Sequence, residues 1–159
     1  MQKDLITKNG YEKIVEEFRT LLKEKSYWVK EKEIAAQLGD RSENAEYIAA
    51  KEQIRNADKR LRFLDRIINN SEVIDISEIP HIKVNFGSEI VVEDLNTQIL
   101  KTFIIVGTNE TNPNENKISN KSPIGRILLK KAVDEEFDFE INGTIYEYKI
   151  VSVKEYKFD

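Results

Sequence analysis

Between Tyr47 and Ile68 the apolar residues fall at Tyr47, Ala50, Ile54, Ala57, Leu61, Leu64 and Ile68, in alternating steps of three and four. That spacing follows one stripe of an α-helix, and a strand has no use for it, because strand side chains change face at every residue. Kept up over this length, it is the a/d seam of a coiled coil. A seam needs a partner. The preceding segment, from about Tyr11 to Leu38, offers one: Tyr11, Ile14, Phe18, Leu21 and Trp28 share a stripe, interrupted by Lys25 and Lys32. Asn9-Gly10 ahead of it and Gly39 behind it supply boundary residues. Two such helices joined by a short connection must run antiparallel to bury their stripes against each other. At ~1.5 Å rise per residue each arm is roughly 40 Å long. Such a hairpin has little core, so its far end, Gly39 to Ser42, is expected to project as a tip.

The chain changes character near Ile76-Ser77-Glu78-Ile79-Pro80. Up to that point there is no proline, and glycine occurs only at positions 10 and 39. Beyond it the pattern is one of strands and turns. Strands are predicted at Ile82–Phe86, Glu89–Glu93, Thr102–Val106, Asp138–Ile141 and Ile145–Val153, with Asn142-Gly143 as the hairpin turn between the last two. Ser122-Pro123 opens a short helix, with serine at the N-cap and proline in the first helical position. Asn109–Asn116, rich in Asn, Glu and Thr, is expected to be an exposed loop. The division is therefore residues 1–76 for the helical hairpin, 77–81 for a linker and 82–159 for a small α+β domain.

Composition narrows the function classes. With 25 Lys+Arg against 29 Asp+Glu the net charge is −4, which argues against a general nucleic-acid binder. The absence of cysteine excludes disulfides and thiolate metal sites. The single histidine, His81, cannot build a histidine metal site and is expected at the surface beside the linker. The N-terminus lacks the apolar core of a signal peptide, and no apolar run approaches the ~18–20 residues of a membrane span. The expectation is a cytoplasmic protein without a membrane partner.

The run Gly39-Asp40-Arg41-Ser42-Glu43-Asn44-Ala45-Glu46-Tyr47 sits between the helices and carries three carboxylates at intervals of three. Asp40 and Glu43 have the spacing of a capping box, which would make them the start signal of the second helix, worth about 1 kcal/mol. On a projecting tip, the same acids with Glu46 can hold a divalent cation, weakly and with water completing the shell. Spacing favours the cap. The second helix adds a basic stripe, Lys51, Arg55, Lys59, Arg62 and Arg66, beside the apolar seam. It is either a solvated charged face or an attractor of phosphates.

This run resembles the tip motif of the bacterial Gre transcript-cleavage factors, GreA and GreB, and the resemblance extends over the whole chain. It takes in Leu5-Ile6-Thr7-Lys8-Asn9-Gly10-Tyr11-Glu12-Lys13, Phe86-Gly87-Ser88, Ile105-Val106-Gly107 and Ser122-Pro123-Ile124-Gly125-Arg126. Arg41-Ser42 is closer to GreB, and Ala45-Glu46-Tyr47 to GreA. The resemblance implies an N-terminal antiparallel two-helix coiled coil followed by an FKBP-like antiparallel-sheet domain with one short helix. It implies a factor that is not itself an enzyme. Such a factor binds RNA polymerase, enters its secondary channel and stimulates cleavage of the 3′ end of backtracked RNA.

Carried over residue by residue, Asp40 and Glu43 would help retain a Mg²⁺ of the polymerase active site, with Asn44 and Glu46 supporting the tip. The basic stripe would attract extruded RNA. Lys121, Ser122 and Pro123 would dock on the polymerase rim, where Lys121 departs from the Asp or Asn frequent in the family. Two other readings compete: a channel-binding regulator without cleavage, and a prolyl isomerase suggested by the FKBP-like domain alone. The intact acid pair argues against the first, and no set of residues marks a proline pocket for the second.

Overall fold

The computed structural model describes residues 3–39 and 44–158. Two compact units emerge: Tyr11–Asn70, and the residues up to Gly10 together with those from Ser71 onward. The first is the helical hairpin. α1 spans Lys8–Ala36 and α2 spans Ala45–Asn70. Glu17 meets Arg60, Lys25 meets Asp58, Lys32 meets Tyr47 and Ala35 meets Asn44. Positions that rise along α1 meet positions that fall along α2, so the helices run antiparallel.

The seam is close to the predicted one. Ala50, Ala57, Leu61, Leu64 and Ile67 are buried on α2, and Ala35 on α1. Its last step differs: Ile67 takes the inner position, and Ile68 is only partly buried. The two lysines that seemed to interrupt the α1 stripe belong to it. Lys25 pairs with Asp58 at 2.7 Å, and the Lys32 ammonium lies 5.9 Å from the centre of the Tyr47 ring.

The second unit is α+β. β3 (Ser88–Asp94), β4 (Leu100–Val106), β5 (Lys117–Ser119), β6 (Glu136–Ile141) and β7 (Thr144–Glu155) form one sheet in the order β5-β4-β3-β7-β6. All neighbours are antiparallel except β4 and β5, which makes the sheet mixed rather than purely antiparallel. Asn142 and Gly143 both have positive φ, 50° and 83°, as the two-residue hairpin turn requires. α3 (Pro123–Leu128) starts at Ser122, whose hydroxyl accepts from the Gly125 amide. Leu128 joins Ile90, Val92, Ile105, Phe137, Tyr148 and Ile150 in the core. A second, two-stranded parallel sheet pairs β1 (Asp4–Thr7) with β2 (Ser71–Ile74), and neither strand was predicted.

The connecting region departs most from expectation. Residues 82–86 do not form a strand. Val84 and Phe86 are buried with the alternation of one, but Val84 exchanges backbone hydrogen bonds with Lys130 and Lys131 instead of a sheet neighbour. The expected linker begins within a 3-10 turn, Ile76–Glu78. Ile76 itself is core, packed so closely on Gly87 that a Cβ there would lie 2.3 Å from its Cγ2.

His81 is no free surface residue either. Its Nε2 lies 2.7 Å from the Ile76 carbonyl and its Nδ1 2.7 Å from the Ser88 hydroxyl. A carbonyl only accepts, so Nε2 carries the proton and Nδ1 accepts from Ser88. Ser88 in turn accepts from the Asn85 amide.

Candidate functional site

At the tip end of the hairpin α1 finishes at Ala36 and α2 starts at Ala45. Asp40, Arg41, Ser42 and Glu43 lie outside the described residues, so the expected capping box and metal-ligand pair have no geometry here. What the structure does place is Asn44. Its Oδ1 accepts from the amides of Glu46 at 3.0 Å and Tyr47 at 3.1 Å, which is the N-cap of α2. Its Nδ2 donates to the Ala35 carbonyl at 2.8 Å, satisfying one of the acceptors left over at the end of α1. The cap described at the start of α2 is thus Asn44, a residue that spacing had not singled out for this role. Glu46 sits in the exposed first turn of α2, where a carboxylate favours the positive end of the helix dipole.

Behind the tip, Lys51, Arg55, Lys59, Arg62 and Arg66 are all exposed, as one helix face requires. Arg55 is partly neutralised by Glu52 at 2.5 Å. A shallow depression brings Lys51, Arg55 and Arg62 together with Lys32 of α1, floored by Ile54 and edged by Asp58. Lys32 thus joins the stripe across the seam. Its own helix period had marked it only as a break, and only the antiparallel pairing reveals the partnership. Lys32 and Lys51 both face the Tyr47 ring, at 5.9 and 5.6 Å. Arg60, on the other side, forks onto Glu17 at 2.6 and 3.0 Å and stacks over Phe63. That hydrogen-bonded guanidinium holds the Glu17 carboxyl below its ordinary value.

The Lys121-Ser122-Pro123 element belongs to the other unit. Lys121 and Pro123 are exposed, and Ser122 is held as the N-cap of α3. Lys121 forms an ion pair with Asp4 of β1. Among the described residues no group of three or more acids or histidines is placed to hold a metal ion.

Sequence reasoning missed Glu110, placed in an exposed loop. Its carboxylate instead accepts from the Thr7 amide at 2.8 Å, the Thr7 hydroxyl and the Gly107 amide at 2.8 Å. Thr7 in turn accepts from the Gly10 amide and so caps α1. Two glycines make room: a Cβ at Gly10 would lie 2.1 Å from Glu110 Oε1, and one at Gly107 2.0 Å from the Leu5 carbonyl. Gly107, Thr108 and Thr111 around Glu110 were the only signal, and they named no partner.

Two family descriptions match the chain: "Transcription elongation factor, N-terminal" over residues 4–73, and "Transcription elongation factor, GreA/GreB, C-term" over residues 79–155. Transcription elongation factor GreA of Wolinella succinogenes is 40% identical, with all of both chains covered. GreA of a Nitratiruptor species is 38% identical over 99% of this chain and 98% of its own. Transcription elongation factor GreB of Vibrio cholerae is 39% identical over 97% of this chain and 96% of its own. The crystal structure of GreA factor homolog 1 of Thermus thermophilus aligns over 96% of this chain and 99% of its own, with a TM-score of 0.45 at 21% identity.

Proposed function

Because this chain belongs to the GreA/GreB family of transcription elongation factors, we propose that it binds bacterial RNA polymerase and stimulates the polymerase's own cleavage of backtracked RNA. The tip of the hairpin enters the secondary channel, while Lys121, Ser122 and Pro123 dock at its rim. Asp40 and Glu43 add carboxylates to a Mg²⁺ that the polymerase holds loosely. Two acids without a preformed cage bind Mg²⁺ poorly, so the chain needs no metal of its own. In two-metal hydrolysis the ions generate the attacking hydroxide and clamp the charge of the transition state. The chain acts in the cytoplasm as an accessory factor, and the catalytic centre remains the polymerase's.

The observation that carries this reading is Asn44 at the start of α2. Asn44 accepts from the Glu46 and Tyr47 amides, so the start of α2 has a cap that does not depend on Asp40 or Glu43. Two carboxylates that the helix start does not need are free to be assigned as ligands. The exposed cations from Lys51 to Arg66, with Lys32 beside them, favour phosphates along the same arm. Their attraction should fall as salt rises.

The test is transcript cleavage in a halted elongation complex. Asp40→Asn with Glu43→Gln should bind polymerase with unchanged affinity and lose stimulated cleavage, by about 10²-fold or more if transition-state charge loses its stabiliser. Undiminished cleavage by the double variant would overturn the role of the acids. Binding by the native chain without any stimulation would leave a channel-blocking regulator instead.

A further inference from the structure

The geometry points to Asn44 as a positioning residue for the tip: one amide side chain both starts α2 and holds the end of α1. The two tasks use opposite ends of the group. The oxygen receives the Glu46 and Tyr47 amides, and the nitrogen donates across the hairpin to the Ala35 carbonyl. That carbonyl also accepts from the Leu38 amide at 3.1 Å, so the tie joins the last hydrogen-bonded turn of α1. Aspartate keeps the cap but has no donor for Ala35. Serine caps with a shorter arm whose single hydrogen cannot replace the amide. Only the carboxamide has an acceptor and a donor facing apart at this reach.

The surroundings make the tie rigid. Ala35, whose carbonyl takes the bond, is 2% exposed, so the acceptor end of the tie is buried in the hairpin. Interiors packed this tightly move little. The chain leaving Ala35 returns to it at Asn44 through one hydrogen bond, which fixes the base of the segment that carries Asp40 and Glu43 in the sequence. This inference rests on the proposed role of those two acids. A carboxylate that completes a metal site must arrive within a fraction of an ångström, and a fixed base limits where it can arrive.

The experiment compares the wild type, Asn44→Asp and Asn44→Ser in stimulated cleavage across a Mg²⁺ titration. Polymerase affinity and far-UV circular dichroism are measured alongside. Both variants should keep helix content and bind polymerase within about twofold, since the cap is retained. Both should need on the order of tenfold more Mg²⁺ for half-maximal stimulation, because misplaced ligands weaken the site they complete. High Mg²⁺ should restore the rate. The serine variant separates loss of the tie from the added charge of aspartate. A Mg²⁺ dependence equal to wild type in both variants would overturn the inference.

A measurement on the native chain stands beside this one. The Asn44 side-chain amide protons should exchange with solvent more slowly than those of exposed Asn56. Equal exchange would remove the tie whatever the variants do. If a variant loses helix content, this comparison decides alone. A native chain that protects the amide yet never stimulates cleavage would overturn the proposed function and leave the tie standing.

Discussion

The two units of this chain hold together by different means. The sheet unit buries ten residues in a single cluster, with Ile90, Val92, Ile105, Leu128 and Ile150 wholly inaccessible. The hairpin buries its residues in single file, because two helices meet along one line and enclose no volume. Apolar contacts along a line can slide by a heptad at modest cost, whereas specific polar pairs cannot. The hairpin has such pairs at intervals: Glu17 with Arg60, Lys25 with Asp58, Lys32 with Tyr47, Asn44 with Ala35. The difference teaches where each unit keeps its specificity. In the sheet unit it lies in shape, and in the hairpin in polar partners spaced along the seam, which leaves the rest of its surface free for charge.

The largest effect that would sharpen this contrast is expected from Leu128→Ala. The side chain is fully buried in the core of the sheet unit, so its loss should cost about 2–5 kcal/mol, according to how far the cavity collapses. The chain's only tryptophan, Trp28, lies in α1, so its fluorescence reports the hairpin, while hydrogen exchange at the amides of β3 and β7 reports the sheet unit. In urea, the β3 and β7 amides should lose protection at lower denaturant while the Trp28 transition stays within experimental error. A joint shift of both would show that the units unfold as one and would break the comparison.

A smaller and more local effect is expected from Glu110→Gln. The carboxylate accepts three hydrogen bonds, from two amides and a hydroxyl. Glutamine keeps one acceptor oxygen and turns an NH₂ toward donors, which should cost about 1–3 kcal/mol. The loss should appear as faster hydrogen exchange at Leu5–Thr7 and at Gly10, whose amide depends on Thr7, with β3 and β7 unchanged. Uniformly faster exchange throughout the sheet unit would mean that Glu110 supports the whole core and not the β1 connection alone.

What the sequence disclosed follows from the range of each signal. Periodicity is local, and it gave both helices, the Asn142-Gly143 turn, the Ser122 cap and most strands of the sheet. It failed where a local pattern is satisfied by distant partners. Val84 and Phe86 alternate like strand residues, but Val84 pairs with the turn after α3 and not with a sheet neighbour. Glu110 sits in a polar loop yet serves Thr7, more than a hundred residues away. Lys25 and Lys32 break an apolar stripe in one dimension and complete it once α2 is laid alongside. At the tip, two capping schemes were compatible with GDRSENAEY, one from Asp40 and one from Asn44. Spacing pointed to Asp40 and Glu43, which lie outside the described residues, and was blind to the second bond that Asn44 makes to Ala35. The basic stripe was legible from its spacing, but the role of the tip motif only as a resemblance.

The smallest predicted effect tests the seam's polar pairs directly. Glu17 and Arg60 are bidentate but 39% and 48% exposed, so solvent screening limits their worth to about 0.5 kcal/mol. The Arg60 hydrogen bonds lower the Glu17 carboxyl from its ordinary 4.5; burial opposes them, and the Arg60 charge adds a lesser lowering. A carboxyl lowered by folding stabilises the folded chain above its unfolded value, and that contribution fades as pH falls through the lowered one. Glu17→Gln should therefore reduce hairpin stability, read by Trp28 fluorescence, at pH 7. The difference from wild type should shrink steadily below pH 4.5 and vanish in strong acid. High salt should shrink it too. A difference constant across that pH range would mean that packing of the side-chain stem matters and the charge does not. The register of the hairpin would then rest on Asn44, Lys25 and the apolar seam, and the contrast between shape in one unit and polar pairs in the other would narrow accordingly.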